Sequence, residues 1–159
     1  MKPATIKALS DELKNLNSEE LVRVCLRLAK FKKENKELLT YLLQQAENEE
    51  GYREELKNEI TEQFASINTS NLYYAKKGLR KVLRYTDRFI KYSGNLETEV
   101  EVRMHYCKEL KQSTIQIDRS VLINNLYQRQ LDKINKKIHE LHDDLQYDYM
   151  QLMEENDLI

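Results

Sequence analysis

Apolar side chains recur at three- and four-residue steps along most of the chain, which is the spacing of one face of an α-helix. This spacing predicts a short first helix after Pro3 and a second helix that opens with Asn17 and Glu20, placed as in a capping box. Two further helices follow, and a fifth runs from a loop ending at Ser70 to about Tyr92. The first 92 residues are therefore expected to form five helices.

The second predicted helix is apolar over more than half of its circumference. Its apolar residues are Leu21, Val24, Cys25, Leu26, Leu28 and Phe31. We expect such a helix to be central in the fold, with Arg23, Arg27 and Lys30 forming a narrow polar edge. The two cysteines, Cys25 and Cys107, both lie among apolar neighbours, and we expect each to be a small buried hydrophobe rather than half of a disulfide.

Two segments of the second half allow alternative predictions. In residues 98–118 the apolar positions alternate as in a strand but also fit a helical stripe, so we predict a sixth helix, with a short two-stranded hairpin as the alternative. Residues 113–155 contain no Gly or Pro, and their apolar spacing predicts one long helix similar to a coiled coil. The alternative is a break near Asn124 and Asn125 into two helices that fold back on each other.

Composition supports a helical fold class. The 159 residues include only three glycines and one proline, too few turn formers for a many-stranded sandwich, a barrel or a doubly wound sheet. We therefore predict an all-α protein with a helical core domain over residues 1–112. Residues 113–159 would form the long C-terminal helix or a helical hairpin that assembles with the core or with a second copy.

Two segments share an R-x-x-L-R pattern and suggest an internal repeat. They are residues 23–27 and 80–84, and each is followed by a Phe with a Lys two residues later. In this respect the chain is similar to the superhelical repeats of HEAT and armadillo proteins, which implies an array of antiparallel helical hairpins. The resemblance concerns architecture and carries over no functional residue.

The charge pattern of the fifth helix is the strongest functional signal. When successive residues are turned by about 100°, seven cations fall within an arc of about 140°. They are Lys76, Lys77, Arg80, Lys81, Arg84, Arg88 and Lys91. Tyr73 falls within this arc and Tyr85 on its border, so both are candidate contact residues. Opposite this arc lie apolar residues, so the helix is expected to bury one face and present the cations to solvent.

This pattern predicts a non-enzymatic protein that binds an acidic partner through the fifth helix. Nucleic acid is the first candidate, because Lys and Arg bind phosphates and tyrosines stack on exposed bases. An acidic protein surface is the second, and the chain holds two acidic segments of its own, residues 47–62 and 140–159. The alternative function is a structural scaffold that forms a homo-oligomer through residues 127–152. A third interpretation is that the basic face of the fifth helix is an ordinary solvated surface, balanced by exposed ion pairs, that binds no partner.

Catalytic and cofactor signals are weak. His139, His142 and Asp143 have helical spacing, but two or three ligands from one helix do not complete a metal site, so we predict neither a metal nor another cofactor. No phosphate-binding glycine motif is present. The chain also lacks a run of about 18 apolar residues and an apolar leader, from which we expect a cytoplasmic protein without a membrane span.

Overall fold

The computed structural model describes residues 1–159 and consists of helices joined by short connections, which confirms the all-α prediction. Its α-helices are α1 (Ile6–Lys14), α2 (Ser18–Phe31), α3 (Lys33–Thr40), α4 (Glu49–Ala65), α5 (Leu72–Ser93), α6 (Leu96–Gln112), α7 (Val121–Ile138) and α8 (Asp143–Glu155). A π-helical turn spans Tyr41–Gln45, and a 3-10 turn spans Ile117–Arg119. The chain divides into two compact units, Met1–Gln44 and Gln45–Ile159.

The N-terminal unit contains α1, α2 and α3. The predicted capping box is present, since the Asn17 side chain accepts from the Glu20 N–H and the Glu20 carboxylate accepts from the Asn17 N–H. The expectation that α2 is central is wrong: Ala29 is its buried residue, while five of its large apolar side chains are exposed. They are Val22, Val24, Leu26, Leu28 and Phe31.

The exposure of α2 has a geometric cause. Helix α2 packs on α3, which has only eight residues and so covers a small part of an apolar surface that extends more than halfway around the helix. Cys25 lies on the uncovered part and is exposed, so the expectation of its burial is wrong. Cys107, in the C-terminal unit, is buried as expected.

The C-terminal unit is built around α6, which packs against α4, α5 and α7. Residues 96–112 form one helix rather than the alternative hairpin. Neighbours cover α6 on several sides, so Val100, Val102 and Met104 are all buried although they do not share a narrow face of the helix. Burial on several sides explains why apolar and polar residues alternate in this segment as in a strand. The Tyr106 hydroxyl donates to the Leu79 carbonyl, which ties α6 to α5.

The C-terminal segment is two helices, not one long helix. The chain turns at residues 139–142, whereas Asn124 and Asn125, where the alternative placed a break, lie inside α7. Side chains replace Gly and Pro at this turn: Gln146 Nε2 donates to the Leu141 carbonyl at 2.7 Å, and His142 is the N-cap of α8.

Packing of α7 on α6 also bears on the predicted domain boundary. The sequence suggested a division between residues 112 and 113, with the second segment assembling with the core or with a second copy. Helices α6 and α7 lie on either side of that point and pack against each other. Helix α8 is held to α6 by the Tyr149 hydroxyl, which contacts the carboxylates of Glu97 and Glu101.

Candidate functional site

Helix α5 presents the predicted basic face because both of its ends and its apolar side are fixed. Its N-cap is Asn71, one residue beyond the predicted Ser70, and the Asn71 side chain accepts from the Tyr74 N–H at 3.0 Å. It ends at Gly94, which adopts the left-handed conformation with φ 65°. Its buried residues are Ala75, Leu79, Val82, Thr86 and Ile90. The opposite side of α5 must therefore face outward.

The cations predicted from the sequence occupy this outward side, which we call the α5 basic face: Lys76, Lys77, Arg80, Lys81, Arg84, Arg88 and Lys91. Five of them are exposed, and Lys76 and Arg88 are half-buried. None of the five exposed cations forms an ion pair with a carboxylate, whereas Lys57 of α4 pairs with Glu101 and Arg103 of α6 pairs with Asp87. The centre of the α5 basic face therefore carries positive charge that neighbouring acids do not neutralise directly.

The aromatic residues beside the α5 basic face fall into two groups. Tyr85 stacks on Phe89 with ring centroids 4.4 Å apart, and the Arg88 guanidinium lies 5.3 Å from the centroid of the Phe89 ring. Tyr85 and Arg88 are thus engaged with aromatic rings of their own helix. Tyr73 is 69% exposed, with its ring edge-to-face against Tyr74 at 5.3 Å, and so offers an accessible aromatic surface.

A groove lies on each side of α5. The groove between α4 and α5 has a volume of about 450 Å³, and Lys77, Lys81 and Arg84 line it from α5. Glu59 and Glu62 of α4 line the same groove, so its charge is mixed. At its floor Gly78 allows close approach of Ile67, because a Cβ on Gly78 would lie 2.7 Å from an Ile67 methyl carbon.

The groove between α5 and α7 has a volume of about 650 Å³ and a different charge. Arg80 lines it from α5, and Arg129 and Lys133 line it from α7. Arg129 and Lys133 are not among the residues predicted from the sequence, because the apolar spacing of their segment predicts an assembly helix. Their four-residue spacing on α7 was the available signal, but only the packing of α5 and α7 on α6 brings them beside Arg80.

The acidic segments of the chain lie on α8, which contacts α7, and on α4, which packs against α5. Helix α8, which carries most acids of residues 140–159, contacts α7 and is tied to α6 through Tyr149. In α4, Glu54 pairs with Lys57 on its own helix. Glu59 and Glu62 approach the α5 basic face across the α4–α5 groove, so internal neutralisation of the face comes from this one side.

No group of side chains suited to hold a metal ion accompanies these grooves. The structure brings no group of three or more His, Cys, Asp or Glu side chains together to hold a metal ion, and His139 and His142 lie in the turn between α7 and α8. Burial raises the pKa of the Cys107 thiol to about 12, so this thiol is protonated at neutral pH. The His105 Nε2 atom lies 2.8 Å from the Thr61 hydroxyl, and burial chiefly lowers the pKa of His105.

Each helix is too short or too polar to cross a bilayer. No family model matches the chain, and no similar protein was found among curated sequences or solved structures.

Proposed function

We propose that this chain is a non-enzymatic nucleic-acid-binding protein whose α5 basic face contacts the phosphate backbone. The observation that carries the proposal is the stripe of exposed cations on one helix, with Lys77, Arg80, Lys81 and Arg84 at its centre, none of them in an ion pair with a carboxylate. Like charges four residues apart on a helix repel by about 0.2–0.5 kcal/mol per pair, so binding of phosphates would remove a repulsion that destabilises the free helix.

Phosphates fit this face better than a single carboxylate partner would. The cations follow the helix over about four turns, and a polyanion supplies charges at regular intervals along such a length. The exposed ring of Tyr73 lies at the N-terminal end of the same face and provides a surface on which a base stacks. This combination favours affinity over sequence specificity.

The proposal is tested by fluorescence-anisotropy titration of the full chain with a mixed-sequence single strand and a duplex at two salt concentrations. We expect binding that weakens steeply with salt, because each phosphate contact releases a bound counterion. In the double variant Arg80→Glu/Arg84→Glu, we expect affinity at low salt to fall by more than about tenfold.

The matched control reverses two cations outside the α5 basic face. Arg119 and Lys136 are exposed on other elements, so Arg119→Glu/Lys136→Glu makes the same change in net charge. We expect this control to weaken binding far less than the α5 variant. Equal weakening by both variants, with both still helical by circular dichroism, would mean that net charge rather than the α5 basic face determines binding and would refute the proposal.

Self-assembly is the second candidate function, and one observation supports it. Exposed large apolar side chains are concentrated on α2, including Val22, Leu28 and Phe31, and soluble proteins use such surfaces for association. Assembly through residues 127–152 has less support, because Tyr127, Leu131, Ile134 and Ile138 are buried within the chain. Sedimentation analysis of the wild type and of Leu28→Glu distinguishes the two functions, since nucleic-acid binding requires no change in oligomeric state.

A further inference from the structure

The groove between α5 and α7 extends the α5 basic face onto a second helix. Helices α5 and α7 both pack on α6, and the space between them forms the groove of about 650 Å³. Its lining comprises the cations Arg80, Arg129 and Lys133, the amides Asn125 and Gln130, and the apolar residues Leu83, Val121, Leu122 and Leu126. The groove thus combines cations on both walls with an apolar surface between them.

Charge distinguishes this groove from the one on the other side of α5. Glu59 and Glu62 line the α4–α5 groove and would repel a phosphate, whereas the α5–α7 groove has no acidic residue in its lining. Asp87 lies beside this groove, where it is bound to Arg103 at 2.7 Å and lies 3.7 Å from Lys133. Because the Lys133 side chain is about half exposed, this weak pair leaves its ammonium able to turn to another anion.

A buried guanidinium holds the two walls of the groove at a fixed separation. Arg103 of α6 is 5% exposed, and its Nη1 donates to Asp87 of α5 at 2.7 Å and to Gln130 of α7 at 2.8 Å. Its Nε donates to Glu99 at 2.9 Å, which fixes the plane of the guanidinium. The groove is therefore pre-organised, which reduces the entropy lost when a ligand binds.

We propose that the α5–α7 groove binds a single nucleic-acid strand, with phosphates on Arg80, Arg129 and Lys133 and bases against the apolar lining. This inference rests on the proposed function. It adds that the bound nucleic acid is a single strand and that α7 contacts it together with α5. Tyr73 lies seven residues before Arg80, two turns or about 10 Å along the same side of α5, and its exposed ring offers a surface on which a base of a longer strand stacks.

A single strand fits the groove better than a duplex does. Cations line this groove from both helices, and apolar residues, Leu83 and Leu122 among them, belong to the same lining. A single strand can present phosphates to both walls and unstacked bases to this lining. A duplex keeps its bases stacked inside a convex cylinder, so its phosphates would meet only the rim. RNA and DNA strands share the phosphodiester chemistry that the groove recognises.

The experiment measures anisotropy of labelled oligo(dT), oligo(U) and a DNA duplex of equal length with the full chain and its Arg129→Glu variant. We expect either single strand to bind more tightly than the duplex, and the tighter of the two identifies the nucleic acid. Arg129→Glu is expected to weaken strand binding at least about fivefold and to reduce the slope of log affinity against log salt by about 0.7, the value for one lost single-strand phosphate contact.

The matched control is Lys136→Glu, which reverses an exposed cation of the same helix outside the groove lining. It should weaken binding less than about twofold, and Arg129→Ala should reproduce the direction of Arg129→Glu without introducing a negative charge. Circular dichroism and thermal unfolding verify that each variant is folded.

Two results would overturn the groove assignment. If Arg129→Glu and Lys136→Glu bind alike while Arg80→Glu/Arg84→Glu binds weakly, the α5 basic face acts without the groove and the proposed function stands. If the duplex binds more tightly than both strands, the groove is not the strand site. If the wild-type chain shows no salt-dependent binding at all, the proposed function itself is refuted.

Discussion

At the scale of single residues, Glu101 joins three helices through one carboxylate. It pairs with Lys57 at 2.7 Å and with Arg53, both from α4, and it accepts from the Tyr149 hydroxyl of α8 at 2.8 Å. Partial burial of Glu101 acts to raise its pKa, but the hydrogen bonds from Lys57, Tyr149 and Arg53 outweigh burial and hold the pKa below its ordinary value. The carboxylate is therefore a stabilising group at neutral pH.

The sign of the pH dependence follows from this lowered pKa. Stability from Glu101 is fully present above the pKa of an unfolded-state Glu, and it is lost as pH falls through the lower pKa of the folded state. We expect Glu101→Gln to lower the free energy of unfolding at pH 7 by about 2 kcal/mol, and the difference from wild type to shrink between about pH 5 and pH 3.

Urea unfolding at pH 7 and at pH 3 measures this difference. Glu54→Gln is the matched control, because Glu54 is exposed and pairs with Lys57 only on its own helix, so its effect should stay within about 0.5 kcal/mol. A Glu101→Gln effect that is the same at both pH values would contradict the assignment of the stability to the charged carboxylate.

At the scale of elements, the end of α5 depends on one backbone conformation. Gly94 has φ 65°, and its N–H donates to the Ile90 carbonyl at 2.9 Å, which closes the helix that carries the basic face. No atom lies within 4 Å of the position that a Cβ would take, so the cost of Gly94→Ala is conformational rather than steric. We expect Gly94→Ala to lower the free energy of unfolding by about 1 kcal/mol and Gly94→Asn to lower it less, measured by urea unfolding. Equal losses for Ala and Asn would contradict this explanation.

Helical periodicity predicted the elements better than it predicted their neighbours. The basic face of α5 was visible in the sequence because all of its residues lie on one helix and follow one local period. Arg129 was missed because it joins Arg80 only through packing of α5 and α7 on α6, a relation between residues far apart in the chain. The same limit explains α2, where the apolar period was correct but could not show that a short partner would leave Phe31 exposed.

The break between α7 and α8 shows a second limit of local patterns. The segment contains no Gly or Pro, and the low helix propensity of the paired Asn124 and Asn125 predicts a break at a place where both residues are in fact helical, inside α7. The turn instead forms where Gln146 caps the carbonyl of Leu141 and where Tyr149 can reach Glu101. A side-chain bond within the turn and a bond from α8 to α6 accompany this break, and neither has a strong one-residue signature.

At the scale of the whole molecule, the hydrophobic core is unevenly divided between the two compact units. Of the buried hydrophobic residues, Ala29 and Tyr41 belong to Met1–Gln44 and the others belong to Gln45–Ile159. Since burial of apolar surface is the main favourable contribution to folding, stability should be concentrated in the C-terminal unit. The candidate site on α5 and α7 lies entirely within that unit.

Hydrogen exchange of the full chain should reveal this asymmetry directly. We expect amides of α6, such as those near Val102 and Tyr106, to exchange only through global unfolding, because their side chains are fully buried. Amides of α1 and α2 should have opening free energies at least about 2 kcal/mol lower, because these helices bury few side chains. At high protein concentration, the amides of α2 could instead be protected as strongly as those of α6 and lose this protection on dilution. That result would contradict the expectation for a monomer and favour association through the apolar side of α2.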